Sequence, residues 1–214
     1  MKVIEASYEI LTPISDGGIQ ELMNIERIGR VCYKSEEKIK SNGESAKNFV
    51  TNLIKRGHEA MLEHSTLSVI FTCDRGVSHE LVRHRIASFA QESQRYVNYS
   101  RKEDGVIFIR PITYPVDSEA YNDWLTACGC AETWYMQAIE RGATPQEART
   151  VLPNSTKTEI VVTANYREWR NIFKLRTAKA AHPAMRALMI PLLEEIKEKL
   201  PIIFDDIIVE DESK

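Results

Sequence analysis

The sequence predicts a mixed α+β fold in a single domain. Some segments carry apolar residues three or four positions apart, which is typical of one face of a helix, whereas others alternate apolar and polar residues, which is typical of a half-buried strand. The chain has 214 residues, enough for one substantial core, and no stretch rich in glycine, serine or proline divides it. We therefore assign residues 1–204 to one domain and residues 205–214 to an acidic tail that can be disordered.

The first third of the chain predicts an edge strand, two helices and a second strand, over residues 1–11, 19–32, 45–55 and 65–73. The first helix is predicted from Leu22, Ile25 and Ile28, which follow one another at three-residue intervals. The second helix ends at Gly57, a C-terminal stop signal that puts His58 in the following loop.

The next segment predicts a helix that carries a group of arginines. Apolar residues four positions apart form a stripe on one side of it, at Val77, Leu81, Val82 and Ile86. Glu80 lies on the other side together with Arg83 and His84, so the helix would aim the basic residues in one direction. After Ile86 we expect a loop over residues 88–100, whose backbone N–H groups can meet a phosphate.

The second half of the chain predicts further strands and helices, over residues 106–109, 118–141, 144 onward, 158–164, 165 onward and 182–200. A capping box from Thr144 to Glu147, with proline at the first helical position, places Arg149 near the start of a short helix. Asn165 and Glu168 have the spacing of another helix start, where backbone amides and the helix dipole favour an anion such as a pyrophosphate.

Composition excludes several classes of protein. The chain has 28 basic and 31 acidic residues, a formal net charge of −3, which gives little attraction to a nucleic acid duplex or an anionic membrane. No run of eighteen apolar residues and no secretory signal pattern occurs, so we expect a cytoplasmic protein. The cysteines have no metal-ligand spacing, and we interpret them as reduced thiols, with Cys73 in the core of a strand.

The richest chemistry lies between residues 83 and 95, which read RHRIASFAQESQR. Three guanidinium groups stand among an imidazole, two hydroxyls and two side-chain amides. Guanidinium groups bind phosphate and carboxylate bidentately, and amides and hydroxyls read the edges of a heterocycle. The residue types suit a phosphorylated ring ligand such as a nucleotide or a flavin, although composition alone does not separate such a site from a charged surface.

Two other functions, a histidine metal site and a serine nucleophile, are less well supported by the sequence than ligand binding. His58 and His64 are six positions apart, whereas a metalloprotease helix needs four, so we predict no metal site and interpret His64 as a structural histidine. Ser93 lacks a neighbouring base that would activate its hydroxyl, because the nearby groups are cations and amides. Ligand binding is the better interpretation of Ser93.

Arg83, His84 and Arg85, followed by Ser93 and then by Gln94-Arg95-Tyr96, resemble the signature of the flavin-dependent (alternative) thymidylate synthases. Other segments resemble further elements of that family in the same order, namely 57–64, 148–153, 165–171 and 175–176. The resemblance spans roughly residues 20 to 200.

The resemblance implies a function and an assembly. The expected reaction is the reductive methylation of dUMP to dTMP, with 5,10-methylenetetrahydrofolate as carbon donor and NADPH reducing a bound FAD. The protein would orient these ring systems and tune their charge. The family's fold implies a mostly antiparallel sheet flanked by helices, in a homotetramer whose sites draw on several subunits.

The resemblance also assigns residues, position by position. FAD binding falls on His58, Arg83, His84, Arg85, Gln91, Asn165, Arg167 and Asn171. Binding of dUMP falls on Glu80, Arg83, Gln91, Ser93, Gln94, Arg95, Arg149 and Arg176. Arg176 is the expected catalytic residue, because a guanidinium beside the uracil stabilises negative charge that develops at N3 and the neighbouring carbonyls.

Some positions depart from the family pattern. Ala60 stands where many members have serine or threonine, and Ala90 and Gln91 stand where some have asparagine and glutamate. Ala180 replaces a frequent histidine, with His182 two positions further on. Two alternatives stay open, a nucleotide- or RNA-binding protein and an FAD/NADPH reductase that lacks methyl transfer.

Overall fold

The computed structural model describes residues 1–209 and shows a mixed α and β fold with a mostly antiparallel sheet. Its strands are β1 Lys2–Ile4, β2 Ser7–Ile10, β3 Thr66–Asp74, β4 Ala87–Gln91, β5 Ile107–Ile109 and β6 Lys157–Asn165. Its α-helices are α1 Ile19–Val31, α2 Glu44–Lys55, α3 Arg75–Leu81, α4 Glu119–Glu140, α5 Pro145–Ala148, α6 Tyr166–Arg176 and α7 Pro183–Lys199. The predicted class and most predicted elements are confirmed.

The strands form two sheets. Four strands lie in the order β2-β3-β6-β4, and β1 pairs in parallel with β5, with Lys2 opposite Ile107. In β3 the buried residues Leu67, Val69, Phe71 and Cys73 alternate with less buried ones, as the sequence pattern predicts. Burial raises the pKa of the Cys73 thiol to about 12, so this core cysteine stays protonated.

The described chain falls into two compact units, each made of several segments. Unit 1 comprises residues 1–9, 70–83 and 89–162, and unit 2 comprises residues 10–69, 84–88 and 163 onward. In unit 1, Phe108, Tyr135 and Tyr99 belong to one hydrophobic cluster. In unit 2, Trp169 stacks at a tilt on Phe173, and its indole N–H donates to the carbonyl of Leu67 at 2.8 Å.

Three predicted elements are corrected. The predicted strand over residues 1–11 is two strands in different sheets; Arg110 binds the carbonyl of Ile4 and the carboxylate of Glu5 at the break between them. The predicted helix through residue 86 ends at Leu81, and the predicted loop over 88–100 begins with strand β4.

The start of the predicted acidic tail packs within unit 2. Arg170, 1% exposed, donates to both carboxylate oxygens of Asp206 at 2.6 and 2.7 Å, and Ile207 is buried. This ion pair holds the pKa of Asp206 below its ordinary value. Residues 210–214 lie outside the described residues, and the domain boundary after residue 204 stays a prediction.

Candidate functional site

Most residues assigned to FAD lie in one unit, and most residues assigned to dUMP lie in the other. Six of the eight assigned to FAD lie in unit 2, namely His58, His84, Arg85, Asn165, Arg167 and Asn171. Seven of the eight assigned to dUMP lie in unit 1, namely Glu80, Arg83, Gln91, Ser93, Gln94, Arg95 and Arg149. Each unit therefore presents its own group of polar side chains.

In unit 2, the imidazole of His84 is buried, at 6% exposure, between the guanidinium of Arg176 and the carboxylate of Glu168. Arg176 Nε lies 3.0 Å from His84 Nε2, and Glu168 Oε1 lies 3.4 Å from His84 Nδ1. A guanidinium only donates, so Nε2 must accept and the ring proton sits on Nδ1. Burial, together with the positive charge of Arg176, lowers the pKa of His84, against an opposing effect of Glu168.

An open pocket in unit 2 lies beside the start of α6. It has a volume of about 400 Å³ and is lined by Arg85, Ser88 and Asn165 among others. Asn165 caps the helix by accepting from the N–H of Glu168 at 2.8 Å, as its sequence position predicts. The side chain of Arg85 makes no ion pair within residues 1–209, so its charge is available at a helix start that favours anions.

The other unit 2 residues assigned to FAD have distinct surroundings. Arg167 is exposed and pairs with Glu63 at 2.5 Å, and Asn171 donates to Glu168 at 3.3 Å. His58 directly precedes the 3₁₀ helix Glu59–His64 and lines a mostly apolar cavity of about 290 Å³. Glu168 thus lies between His84 and Asn171, two of the residues assigned to FAD.

In unit 1, the segment after α3 turns and then forms β4. Glu80 lies in the last turn of α3, and Arg83 follows in an exposed turn. At the end of β4, the Gln91 amide donates to the hydroxyls of Ser78 at 2.9 Å and Thr158 at 3.2 Å. These bonds hold the end of the strand in place before the predicted phosphate-binding residues.

The loop after β4 brings two of the predicted phosphate-binding residues toward one helix. Ser93 Oγ accepts from the N–H of Arg95 at 3.3 Å, and half-buried Gln94 lies between them. Arg95 Nε donates to Gln146 Oε1 on α5 at 3.3 Å. Arg149 follows Gln146 by three residues, a spacing that puts both on one helix face.

The predicted capping box is present where α5 begins. The Glu147 carboxylate accepts from both the N–H and the hydroxyl of Thr144, at 2.8 and 2.7 Å. This capping fixes the start of α5, which ends at Ala148. Arg149 was predicted near the start of this helix, but it directly follows α5 as the first residue of a 3₁₀ helix, Arg149–Val151.

Comparison of this sequence with known proteins shows the family to which the chain belongs. Residues 20–202 match the family model described as "Thymidylate synthase complementing protein". The flavin-dependent thymidylate synthase of Pyrococcus horikoshii is 39% identical over 171 residues, which is 78% of this chain and 70% of the relative. That of Corynebacterium aurimucosum is 32% identical over 209 residues, 90% of this chain and 82% of the relative. This chain belongs to the flavin-dependent thymidylate synthase family.

A solved structure shows the same fold. It is that of PolB, a UMP/dUMP methylase from Streptomyces cacaoi bound with 5-Br dUMP, with a TM-score of 0.77 over 96% of each chain at 19% identity. The predicted membership of the flavin-dependent thymidylate synthases is confirmed by the family match, and the fold by this likeness.

Two of the positions at or near departures from the family pattern are Ala60, in a cavity wall, and His182, at a helix start. Ala60 is exposed and lines the cavity beside His58. His182 caps α7, since its Nδ1 accepts from the N–H of Ala184 at 3.2 Å. This bond gives His182 a helix-capping role.

Two acidic residues beside the site were not predicted. Glu168 has only a capping signal in the sequence, and its contact with His84 depends on tertiary structure. Glu92 stands between two predicted residues; its carboxylate accepts from Tyr99 at 3.0 Å and from Lys157 at 3.1 Å. No local pattern connects Glu92 with a lysine 65 positions later.

No helix within residues 1–209 has the length and apolar character needed to cross a membrane. Across the same residues, His, Cys, Asp and Glu side chains form no cluster of three or more suited to a metal ion.

Proposed function

We propose that this protein catalyses the reductive methylation of dUMP to dTMP, with 5,10-methylenetetrahydrofolate as carbon donor and NADPH as reductant of a bound FAD. The family membership supports a flavin-dependent thymidylate synthase. The structural observation that carries the proposal is the orientation of the Arg176 guanidinium by the buried imidazole of His84. Such a preorganised charge is what a reaction with a developing anion requires.

The residues around α6 in unit 2 fit FAD. Arg85 offers a guanidinium and α6 offers a capped N-terminus, which together suit a pyrophosphate. His84, Asn165, Arg167 and Asn171 add polar groups, and His58 borders an apolar cavity suited to a ring. FAD, when bound, supplies the redox chemistry that reduces the transferred one-carbon unit.

The residues of unit 1 fit the nucleotide. Arg95 and Arg149 suit the phosphate, because they provide two guanidinium groups at α5: Arg95 bonds to Gln146 of α5, and Arg149 directly follows the helix. Ser93 and Gln94 add hydroxyl and amide groups on the same loop. In the proposed site, Glu80, Arg83 and Gln91 complete the contacts with dUMP.

Arg176 is the proposed catalytic residue. Its guanidinium stabilises negative charge at N3 and the neighbouring carbonyls of the uracil, which makes C5 more nucleophilic. C5 then forms a bond to the methylene carbon of 5,10-methylenetetrahydrofolate while the bonds of that carbon to the folate nitrogens break. The proton on C5 leaves, and the reducing equivalent that completes the methyl group is the one that FAD would supply. Because His84 already orients the guanidinium, little reorganisation is needed as the charge develops.

Assembly and location are part of the proposal. We infer a homotetramer in the cytoplasm, whose sites draw on several subunits, as the family resemblance implies. In such an assembly the phosphate-binding residues and Arg176 need not come from one chain.

The proposal is tested by product formation. The purified protein is incubated with dUMP, 5,10-methylenetetrahydrofolate, NADPH and FAD, and dTMP is measured by mass spectrometry, with each component omitted in turn. We expect a yellow protein and dTMP only in the complete mixture. Oxidation of NADPH without dTMP would indicate a plain reductase, and a colourless protein that binds RNA would contradict the flavoenzyme.

A further inference from the structure

Glu168 is a buried carboxylate beside the proposed site. It is 7% exposed and occupies the third position of α6, where its backbone N–H is capped by Asn165. Its Oε1 atom lies 3.4 Å from His84 Nδ1 and 3.3 Å from Asn171 Nδ2. A carboxylate at such depth needs partners, and these two side chains provide them.

Helix capping alone does not account for this placement. An acid at the third helical position often turns back to the N–H of the capping residue, as Glu147 does at the start of α5. At the start of α6, the Glu168 N–H donates to the side chain of Asn165, and the Glu168 carboxylate faces His84 and Asn171 instead. The carboxylate is directed toward the proposed site.

The contact with Glu168 determines what His84 offers to Arg176. His84 Nε2 can accept from Arg176 only while the ring proton is on Nδ1, and Glu168 is the acceptor that faces Nδ1. Without an acceptor there, a buried N–H would lack a partner. Movement of the proton to Nε2 would then set a donor against the Arg176 donor and displace the guanidinium.

We propose that Glu168 is a positioning residue that orients Arg176 through His84, so that the guanidinium meets the uracil ring of dUMP. This inference rests on the proposed function, since it takes dUMP as the ligand of Arg176. The carboxylate itself contacts neither substrate nor cofactor in this role.

Conservative variants separate this role from a structural one. Glu168→Gln keeps an oxygen that can accept from His84 and Asn171, whereas Glu168→Met removes it at similar length. Glu168→Asp keeps an acid at a helix start, where it is favourable, but shortens the side chain and withdraws the oxygens from His84. A helix-capping role would tolerate aspartate, and the positioning role does not.

The main test is a double-mutant cycle on dUMP affinity. The dissociation constant for dUMP is measured by calorimetry on the FAD-loaded protein, for the three Glu168 variants in the wild-type and in the Arg176→Ala background. We expect Met and Asp to weaken binding about tenfold and Gln to change it less than about threefold. In the Arg176→Ala background, the Glu168 variants should have no further effect.

The contrary outcomes are equally specific. Equal losses in both backgrounds, or an Asp variant that binds as tightly as wild type, would overturn the inference. Glu26→Met is the matched control, because it removes another buried carboxylate from unit 2, where Glu26 binds Arg30 and Ser45. It should lower thermal stability without changing dUMP affinity.

A second measurement is independent of dUMP. With ¹⁵N-labelled histidine, the nitrogen shifts of His84 report which ring nitrogen carries the proton. We expect protonated Nδ1 in the wild type and in Glu168→Gln, and a loss of that signature in Glu168→Met. The same signature in Glu168→Met as in the wild type and Glu168→Gln would overturn the inference. Wild-type protein that shows the signature but binds no dUMP would contradict the proposed function alone.

Discussion

At the scale of single residues, His84 joins the two charges on which the proposed chemistry depends. It accepts from Arg176 and faces Glu168, and it is buried within unit 2. A buried imidazole next to a guanidinium is more stable when neutral, because its protonation would place two positive charges side by side. The orientation of the Arg176 guanidinium therefore depends on a histidine that stays neutral.

The lowered pKa of His84 predicts how stability changes with pH. Above the ordinary histidine pKa of about 6.5, the ring is neutral in both the folded and the unfolded chain, and its contribution to stability is complete. As the pH falls below that value, the unfolded chain binds the proton first, so this contribution is progressively lost. We expect the melting temperature to fall as the pH decreases below about 6.5.

His84→Gln and His64→Gln make this prediction specific to one residue. The melting temperature is measured by calorimetry from pH 5 to pH 8. His84→Gln should flatten the loss at acid pH, whereas His64→Gln, at an exposed histidine, should keep the wild-type slope. An unchanged slope in His84→Gln would contradict the assignment.

At the residue scale, local structural roles were predictable from the sequence, whereas contacts between distant positions were not. Asn165, for example, was expected at a helix start and is the capping residue of α6. The contact of His84 with Glu168 joins positions 84 residues apart, and no local pattern encodes such a separation. The same is true of the Gln91 amide, which bonds to Ser78 and Thr158.

At the scale of elements, the segment from α3 to β4 shows why the helix prediction was wrong. A short helix depends on burial of its apolar face, and α3 stops where that burial ends. Val77 and Leu81 are buried, but Val82 is 41% and Ile86 is 70% exposed. The chain then alternates between half-buried and exposed residues over β4. The sequence of β4 does not reveal this alternation, because Gln91 is on the more buried side and Ala90 is on the exposed side.

The loop after β4 is anchored by a charged network in unit 1. Lys157 Nζ lies 3.1 Å from Glu92 and 2.7 Å from Glu159, and the Tyr99 hydroxyl also donates to Glu92. Burial, reinforced by the Glu92 carboxylate, raises the pKa of Tyr99, so its hydroxyl remains a donor. Glu92 is thereby fixed directly before Ser93, the first residue of the predicted phosphate loop.

Lys157→Met tests whether this anchor positions the loop. Loss of the ammonium leaves Glu92 with a weaker set of donors, so we expect the loop to loosen and dUMP affinity to fall about fivefold to tenfold. FAD binding, followed by its visible spectrum, should not change, because the FAD residues of α6 lie in unit 2.

Lys102→Met is the control for the loss of one positive charge. Lys102 is exposed and lines the same cavity, of about 440 Å³, as Glu92 and Lys157. It should bind dUMP as the wild type does. Equal losses in the two lysine variants would point to a general effect of charge and contradict an anchoring role.

At the scale of the whole molecule, the fold class and most elements follow from the sequence, because amphipathic periodicity is a local property. The assignment of β1 and β2 to different sheets does not, since it depends on a partner strand about a hundred residues away. The distribution of the assigned residues, with most FAD residues in one unit and most dUMP residues in the other, is likewise a property of the tertiary structure.

The central claim is that Arg176 activates dUMP for methylation at C5. It is tested most directly with dUMP that carries tritium at C5, incubated with 5,10-methylenetetrahydrofolate, NADPH and FAD. We predict that the wild type releases tritium into water and that Arg176→Ala lowers the rate by about 100-fold or more while FAD remains bound. Undiminished release by Arg176→Ala, or oxidation of NADPH by the wild type without any release of tritium, would contradict the account.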